Sequence, residues 1–219
     1  MSMNWSASVE ATSFNVPQFP QESGDTYELA LAGRSNVGKS TLVNALLGEK
    51  LAYVGSSPGK TRSVNFYSVA ARERDGKSLA FRVVDLPGYG YAGGSKSARK
   101  EWSKLTSSYI ETRASLCLVC HLVDFRHGLL PNDRELQDWL SERGKPIMTL
   151  FTKSDKIAKN KRRALLQQYV TSGLKSFDVP ILTSGEERVD GELLGVGELR
   201  EFLVKYINGI KGEGGTLNG

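Results

Sequence analysis

The stretch Gly33-Arg34-Ser35-Asn36-Val37-Gly38-Lys39-Ser40 decides the reading of this chain. It fits G-x-x-x-x-G-K-[ST], the phosphate-binding P-loop. The flanks agree with it. The apolar run Leu29-Ala30-Leu31-Ala32 leads in, and Thr41-Leu42-Val43-Asn44-Ala45-Leu46-Leu47 leads out with helical character. Strand, loop and helix in that order are the context the motif needs. Gly33 and Gly38 let the backbone curl, so that the N–H groups of the loop and of Thr41 face phosphate oxygens. Lys39 sets a positive charge on the β and γ phosphates, and Ser40 offers a hydroxyl to Mg²⁺. The helix begins there, with the positive end of its dipole toward the anion. A nucleoside triphosphate is the expected ligand.

Working outward, the 219 residues are 39% hydrophobic, which suits one α/β domain with a full core. No apolar run approaches the roughly 20 residues of a membrane span, and the first residues lack the basic-then-apolar order of a signal peptide. A cytoplasmic protein is expected. The two cysteines agree with that. Cys117 and Cys120 sit inside an apolar run, Leu116-Cys117-Leu118-Val119-Cys120, and read as two buried strand thiols. On a strand their spacing predicts opposite faces. His121 and His127 have no nearby set of metal-binding partners. The net charge of +5 permits a polyanionic partner without requiring one.

Residues 1–24 are polar and contain Pro17 and Pro20. They read as an irregular arm, packed on the domain through Phe14 and Phe19. The domain itself is expected over 25–208, with a Gly-rich, disordered tail over 209–219. After the first helix a Ser-, Pro- and Gly-rich loop precedes two antiparallel strands, around Val64–Val69 and Leu79–Val84, joined at Asp75-Gly76. A helix is expected from near Ala98 to Thr112, a buried strand over Leu116–Val123, a helix opened by Pro131, a strand over Pro146–Phe151, a helix near Asn160–Ser172, a short strand over Val179–Leu182 and a last helix through Leu199–Tyr206. Strands alternating with helices indicate a mainly parallel sheet covered on both faces.

Three later segments choose the base. Asp85-Leu86-Pro87-Gly88 closes a strand; its carboxylate can hold the Mg²⁺ shell through water, and Gly88 can offer its N–H to the γ-phosphate. Thr152-Lys153-Ser154-Asp155 follows a buried strand. Guanine presents N1–H and a 2-amino group on one edge, and the Asp155 carboxylate can accept from both, while the stem of Lys153 covers the ring. After Leu182 ends the last strand, Thr183-Ser184-Gly185 supplies small residues that let the backbone approach the guanine carbonyl.

The order P-loop, Thr61 loop, D-x-x-G, T-K-x-D, T-S-G resembles the Ras-like GTPases of the TRAFAC class. GRSNVGKSTLVN (33–44), PGKTR (58–62), DLPGYGYA (85–92), Trp102, DFRH (124–127) and TKSDK (152–156) are similar to the EngB family, also called YihA or YsxC. The resemblance covers about residues 12–207. Two departures are Phe125, where an aliphatic is usual, and Leu182-Thr183-Ser184, where Phe-Ser-Ser is common. The resemblance implies a Ras-like α/β three-layer fold with a six-stranded, mostly parallel sheet containing one antiparallel strand. It also implies a monomer that binds GTP and GDP, hydrolyses GTP with Mg²⁺, assists assembly of the large ribosomal subunit precursor, and is needed for cell division and septation. Lys39, Thr61 and Gly88 then serve the hydrolytic step. Thr61 completes the Mg²⁺ shell beside Ser40, and Gly59, Lys60, Arg62 and Ser63 line the nucleotide with it.

Where many GTPases carry a glutamine after D-x-x-G to orient the attacking water, this chain has Tyr89, so intrinsic hydrolysis is expected to be slow. Asn36 either binds a K⁺ that stimulates the reaction or braces a switch loop. Lys156, Lys159, Lys161, Arg162 and Arg163 form one basic cluster, and Lys96, Arg99, Lys100 and Lys104 another; each is an RNA-facing surface or a solvated face. The first lies where a helix begins and its dipole disfavours cations. Two rivals remain at this point. One is a nucleotide-sensing module with negligible hydrolysis. The other is a small-molecule phosphotransferase, which lacks the arginine-rich lid it needs.

Overall fold

The computed structural model describes residues 4–52, 63–72, 76–89 and 96–212, with the backbone alone for 96–103. In chain order the elements are β1 (Asn4–Ser13), β2 (Glu28–Gly33), α1 (Lys39–Leu47), β3 (Val64–Arg72), β4 (Ser78–Asp85), α2 (Lys96–Thr112), β5 (Leu116–Asp124), α3 (Pro131–Glu142), β6 (Ile147–Thr152), α4 (Lys159–Thr171), β7 (Ile181–Leu182), β8 (Arg188–Val189), β9 (Glu192–Leu193) and α5 (Val196–Gly212). The first seven strands form one sheet in the order β1-β3-β4-β2-β5-β6-β7, and β8 pairs with β9 in a small hairpin. Pairing is parallel from β4 through β2, β5 and β6 to β7, and antiparallel at β3–β4 and β1–β3. Only β3 therefore runs against the others. The six expected strands are present, and a seventh joins them.

That seventh strand is β1, where an irregular arm was expected. It pairs with β3 from Asn4↔Arg72 to Ser13↔Val64, with a bulge between Val9 and Ala11. The extra residue, Glu10, switches which face the following side chains take. Trp5 and Ala7 pack against one core cluster and Ala11 against the other. Glu10 itself meets Arg82 of β4 at 2.5 Å.

The central strands are buried on both faces, as a parallel sheet requires. Leu29 and Leu31 of β2 face α1 and α5, which contribute Leu42, Val43, Leu46, Leu199 and Leu203. Ala30 and Ala32 face the other way, where α2 and α3 bring Leu105, Tyr109, Ile110 and Leu140. Helix α4 caps the sheet end through Leu165, Leu166 and Tyr169 against Phe125 and Phe151. At the start of β5 a bulge matches Glu28 to Leu116 but Leu29 to Leu118. It overturns the expected opposite-face placement of the cysteines, because Cys117 and Cys120 lie in the same core cluster. Both are free and buried, and burial pushes each thiol up to about 12. Helix α5 continues to Gly212, past the expected start of the tail.

The C-terminal ends of β2, β4, β5, β6 and β7 all point to one edge of the sheet. In an open α/β sheet the ligand crevice lies there, and every sequence-predicted motif within the described residues sits on that edge.

Candidate functional site

The phosphate side is built by β2 and α1. Gly38 stands at the helix N-cap with φ of +107°, a left-handed conformation that favours glycine, and Asn36 takes φ of +63°. Arg34, Ser35 and the exposed Asn36 form the turn; Val37 is buried and its N–H bonds Arg34 O at 3.1 Å. Lys39 and Ser40 open α1, and Thr41 follows. The Lys39 ammonium is buried and paired with the buried carboxylate of Asp85 at the end of β4. Leu86 and Pro87 are buried, with Leu86 N–H bonded to Leu31 O at 3.1 Å. Ser63 is buried just before β3 and bonds Asn65. Gly59, Lys60, Thr61 and Arg62 lie outside the described residues, as do Gly90 to Gly94 and the side chains of Lys96, Arg99, Lys100 and Trp102.

The base side is built by the ends of β6 and β7. A cavity of about 420 Å³ opens there, lined by Thr41, Arg126, Lys153, Asp155, Ser184 and Gly185 among others. Thr152 ties it to the P-loop, its hydroxyl donating to Val37 O at 2.7 Å. Lys153, at φ of +57°, lays its ammonium 2.7 Å from Asn36 O and 3.1 Å from Asp124 Oδ2. Burial opposes the charge on Asp124, but hydrogen bonds from Arg126 and Lys153 outweigh it and hold the carboxyl at about 2. Ser154 is buried and donates to Thr183 O at 2.9 Å, fastening the T-K-x-D turn to the segment after β7. Thr183 in turn bonds Phe151 O through its N–H at 2.6 Å, while Leu182 is the last residue of β7.

Asp155 is the centre of this side. Its Oδ1 accepts from the Ser184 hydroxyl at 2.6 Å, and Ser184 Oγ accepts from the N–H groups of Glu186 and Glu187. Its Oδ2 is buried and accepts no hydrogen bond; Lys156 Nζ lies 3.0 Å away as a charge partner. Burial raises the pKa of Asp155, yet Ser184 and Lys156 together bring it below the ordinary carboxylate range. The ammonium of Lys156 answers the charge on Oδ2, which keeps acceptor capacity for a ligand donor.

Three comparisons bear on this geometry. The family of 50S ribosome-binding GTPases matches residues 28–153, more than half of the chain. A protein of Streptococcus equi subsp. equi named "Probable GTP-binding protein EngB" is 37% identical over 205 residues, covering 92% of this chain and 94% of its own. The chain belongs to the EngB family of GTP-binding proteins. A second EngB protein, from Kosmotoga olearia, is 44% identical over 142 residues, covering 65% of this chain and 70% of its own. The fold is shared with a crystal structure of an EngB protein at a TM-score of 0.60 and 22% identity, covering 83% of this chain and 99% of that one. It is shared also with Aquifex aeolicus Era bound to GDP·AlF₄⁻, at 0.67 and 22%, where the match takes in 83% of this chain and 57% of the Era chain.

The two sides meet across the β2–α1 turn, where Thr152 and Lys153 bond Val37 O and Asn36 O. Asp155 and Lys153 both line the cavity, a carboxylate acceptor and an aliphatic stem on the same side. Ser40 and Asp85, one hydroxyl and one carboxylate, suit Mg²⁺, which completes its shell with phosphate oxygens and water rather than with a protein cage. No group of three or more His, Cys, Asp or Glu residues among those described could hold a metal by itself.

The basic cluster around α4 is accounted for in part by partners the sequence did not display. Lys156 pairs with Glu186, and Lys159 and Arg162 with Glu187, at 2.7, 3.0 and 2.6 Å. Cations at this helix start thus answer carboxylates beside the site. Lys161 and Arg163 are exposed and carry no ion pair among the described residues.

Sequence reading also missed a buried polar group behind Tyr89. The Tyr89 hydroxyl lies 2.6 Å from His121 Nε2 and 2.7 Å from Asp133 Oδ1, and His121 continues to Gln137. The signal available was a histidine inside the fully apolar run of β5, read only for metal binding.

Proposed function

We propose that this EngB-family chain is a monomeric, cytoplasmic GTPase switch that binds GTP and GDP and acts in assembly of the large ribosomal subunit, on which normal cell division and septation depend. The observation that carries the guanine reading is Asp155, with one oxygen fixed by Ser184 and the other paired with Lys156, on the cavity that Gly38 and Thr41 of the phosphate side also line. In the hydrolytic step Lys39 and the P-loop N–H groups hold the β and γ phosphates, and the Gly88 N–H faces the transferred group. Ser40, Thr61 and Asp85 would hold a Mg²⁺, which would supply positive charge to neutralise the phosphates. Asn36, exposed at the mouth of the loop, is the residue offered to K⁺.

Tyr89 turns its hydroxyl inward and cannot orient water as a glutamine does. That favours slow intrinsic turnover, and it keeps a nucleotide-sensing module with negligible hydrolysis as the second reading. The ribosomal partner is supported by the family described as 50S ribosome-binding, and the net charge of +5 permits it. No helix among the described residues is long and apolar enough to cross a membrane.

The test is base exchange. Asp155→Asn should lower GTP affinity by at least about tenfold, the scale of one charge-assisted hydrogen bond, and raise affinity for xanthosine triphosphate, whose edge offers an acceptor where guanine offers a donor. Titration with fluorescent nucleotides reads both. Unchanged GTP affinity in the variant removes Asp155 from the site.

A further inference from the structure

We infer that His121 and Asp133 are positioning residues for the γ-phosphate contact, acting through the phenol of Tyr89. This rests on the guanine-nucleotide reading given above and deepens it.

Tyr89 is held from both ends. Its backbone forms a parallel bridge with Arg34: Tyr89 N–H donates to Gly33 O at 3.2 Å, and Ser35 N–H donates to Tyr89 O at 2.9 Å. The residue before it, Gly88, lies so close to the P-loop that a Cβ there would stand 3.1 Å from both Ser35 N and Ser35 Cα. The segment that must present the Gly88 N–H to a γ-phosphate is thereby laid along the P-loop.

The side-chain end is buried. Lys175 N–H donates to Gln137 Oε1 at 3.0 Å, which fixes the amide orientation and turns Nε2 toward His121 Nδ1 at 3.2 Å. Nδ1 is then the acceptor and Nε2 carries the proton. His121 Nε2–H donates to the Tyr89 oxygen, and the Tyr89 O–H donates to Asp133 Oδ1. Asp133 Oδ2 accepts the Leu130 N–H at 2.9 Å, which locks the carboxylate to the start of α3. The phenol thus accepts from one group and donates to another, both of them buried. His121 and Asp133 are buried at 0% and 1% exposure, and among the described residues their side-chain hydrogen bonds go to Tyr89, Gln137 and Leu130 N–H rather than to the P-loop. Among the described side chains, Tyr89 is the one through which both reach the Gly88 segment.

Removing the hydroxyl separates positioning from folding. His121 Nε2 and Asp133 Oδ1 stand 3.8 Å apart, so a shift on the order of 1 Å brings them to hydrogen-bond distance without Tyr89. In Tyr89→Phe the core can reclose while the Gly88–Tyr89 segment loses its anchor. GDP makes no γ-phosphate contact and should not sense the change.

The experiment measures affinities of the full chain for GDP and for a non-hydrolysable GTP analogue in wild type, Tyr89→Phe and Asp133→Asn, with thermal unfolding alongside. The expected result is a loss on the order of tenfold for the analogue, GDP affinity within about twofold of wild type, and the same direction in both variants. An unchanged ratio of analogue to GDP affinity, or an equal loss for both nucleotides, overturns the positioning role and leaves the guanine reading standing. If wild type binds neither nucleotide, both fall.

Discussion

Asp124 fixes the side chain of Lys153 without itself lining the cavity. It accepts two hydrogen bonds from the Arg126 guanidinium, at 2.9 and 2.7 Å, and pairs with Lys153 at 3.1 Å. The Lys153 ammonium is thereby fixed between β5 and the P-loop, and its stem is left over the cavity. Because the folded pKa is lowered from 3.8 to about 2, the stabilisation is present above the unfolded value and is lost as pH falls from about 4 through 2. Arg126 is largely exposed, so screening keeps its share small. Asp124→Asn should therefore cost about 1 kcal/mol at pH 7. Denaturant unfolding of both proteins at pH 7 and near pH 2 would check this: the gap should shrink in acid. A gap equal at both pH values would remove the carboxylate's charge from the account.

Among the elements, β1 and the segment behind it carry the least obvious part of the design. Glu28 of β2, fully buried, takes hydrogen bonds from Arg113, Arg82 and Tyr109. The same arginines reach back to Pro20 O and Gln21 O, and Phe19 packs tilted on Phe66 and edge-to-face with Tyr109. This network clasps the chain before β2 to the C-terminal end of α2, the helix that follows the Gly88 loop. Glu28→Gln keeps the shape but leaves Arg113 and Arg82 short of a buried counter-charge, which should cost about 3–5 kcal/mol. Urea midpoints measure it, and a loss under about 1 kcal/mol would mean that Glu10 and Glu22 suffice as partners. The network also explains what the sequence concealed. Strands β2 through β6 and all five helices are legible because both faces, or one clear stripe, are apolar. Strand β1 is an edge strand, exposed at most positions and broken in register by Glu10, so alternation never becomes regular. The two-residue strands β8 and β9 are too short to show any period. P-loop and T-K-x-D residues are legible because a ligand's chemistry dictates them; Tyr89, His121 and Asp133 are far apart in sequence, and only the fold brings them together.

At the scale of the whole molecule, positive charge beside the nucleotide edge must be divided between what holds the fold and what is left for a partner. Arg162 is committed to Glu187 and to Ile157 O. Reversing it would break the structure around Ser184 and confuse a binding test. Lys161 and Arg163 are exposed on the same helix and make no ion pair among the described residues, so they are the cations to reverse. Lys161→Glu with Arg163→Glu should leave nucleotide affinity within about twofold, since neither lines the cavity and screening over a Debye length of about 10 Å removes most of the distant field. If the helix faces ribosomal RNA, the double variant should co-sediment more weakly with large subunits in the GTP-bound state. Its dependence on salt should also be shallower than that of wild type, by on the order of 0.7–0.9 in log–log slope for each phosphate that the variant no longer neutralises. A weaker complex with an unchanged slope would mean that α4 meets protein rather than RNA. Undiminished co-sedimentation would mean that these two cations of α4 are a solvated face and that the ribosomal surface lies elsewhere on the molecule.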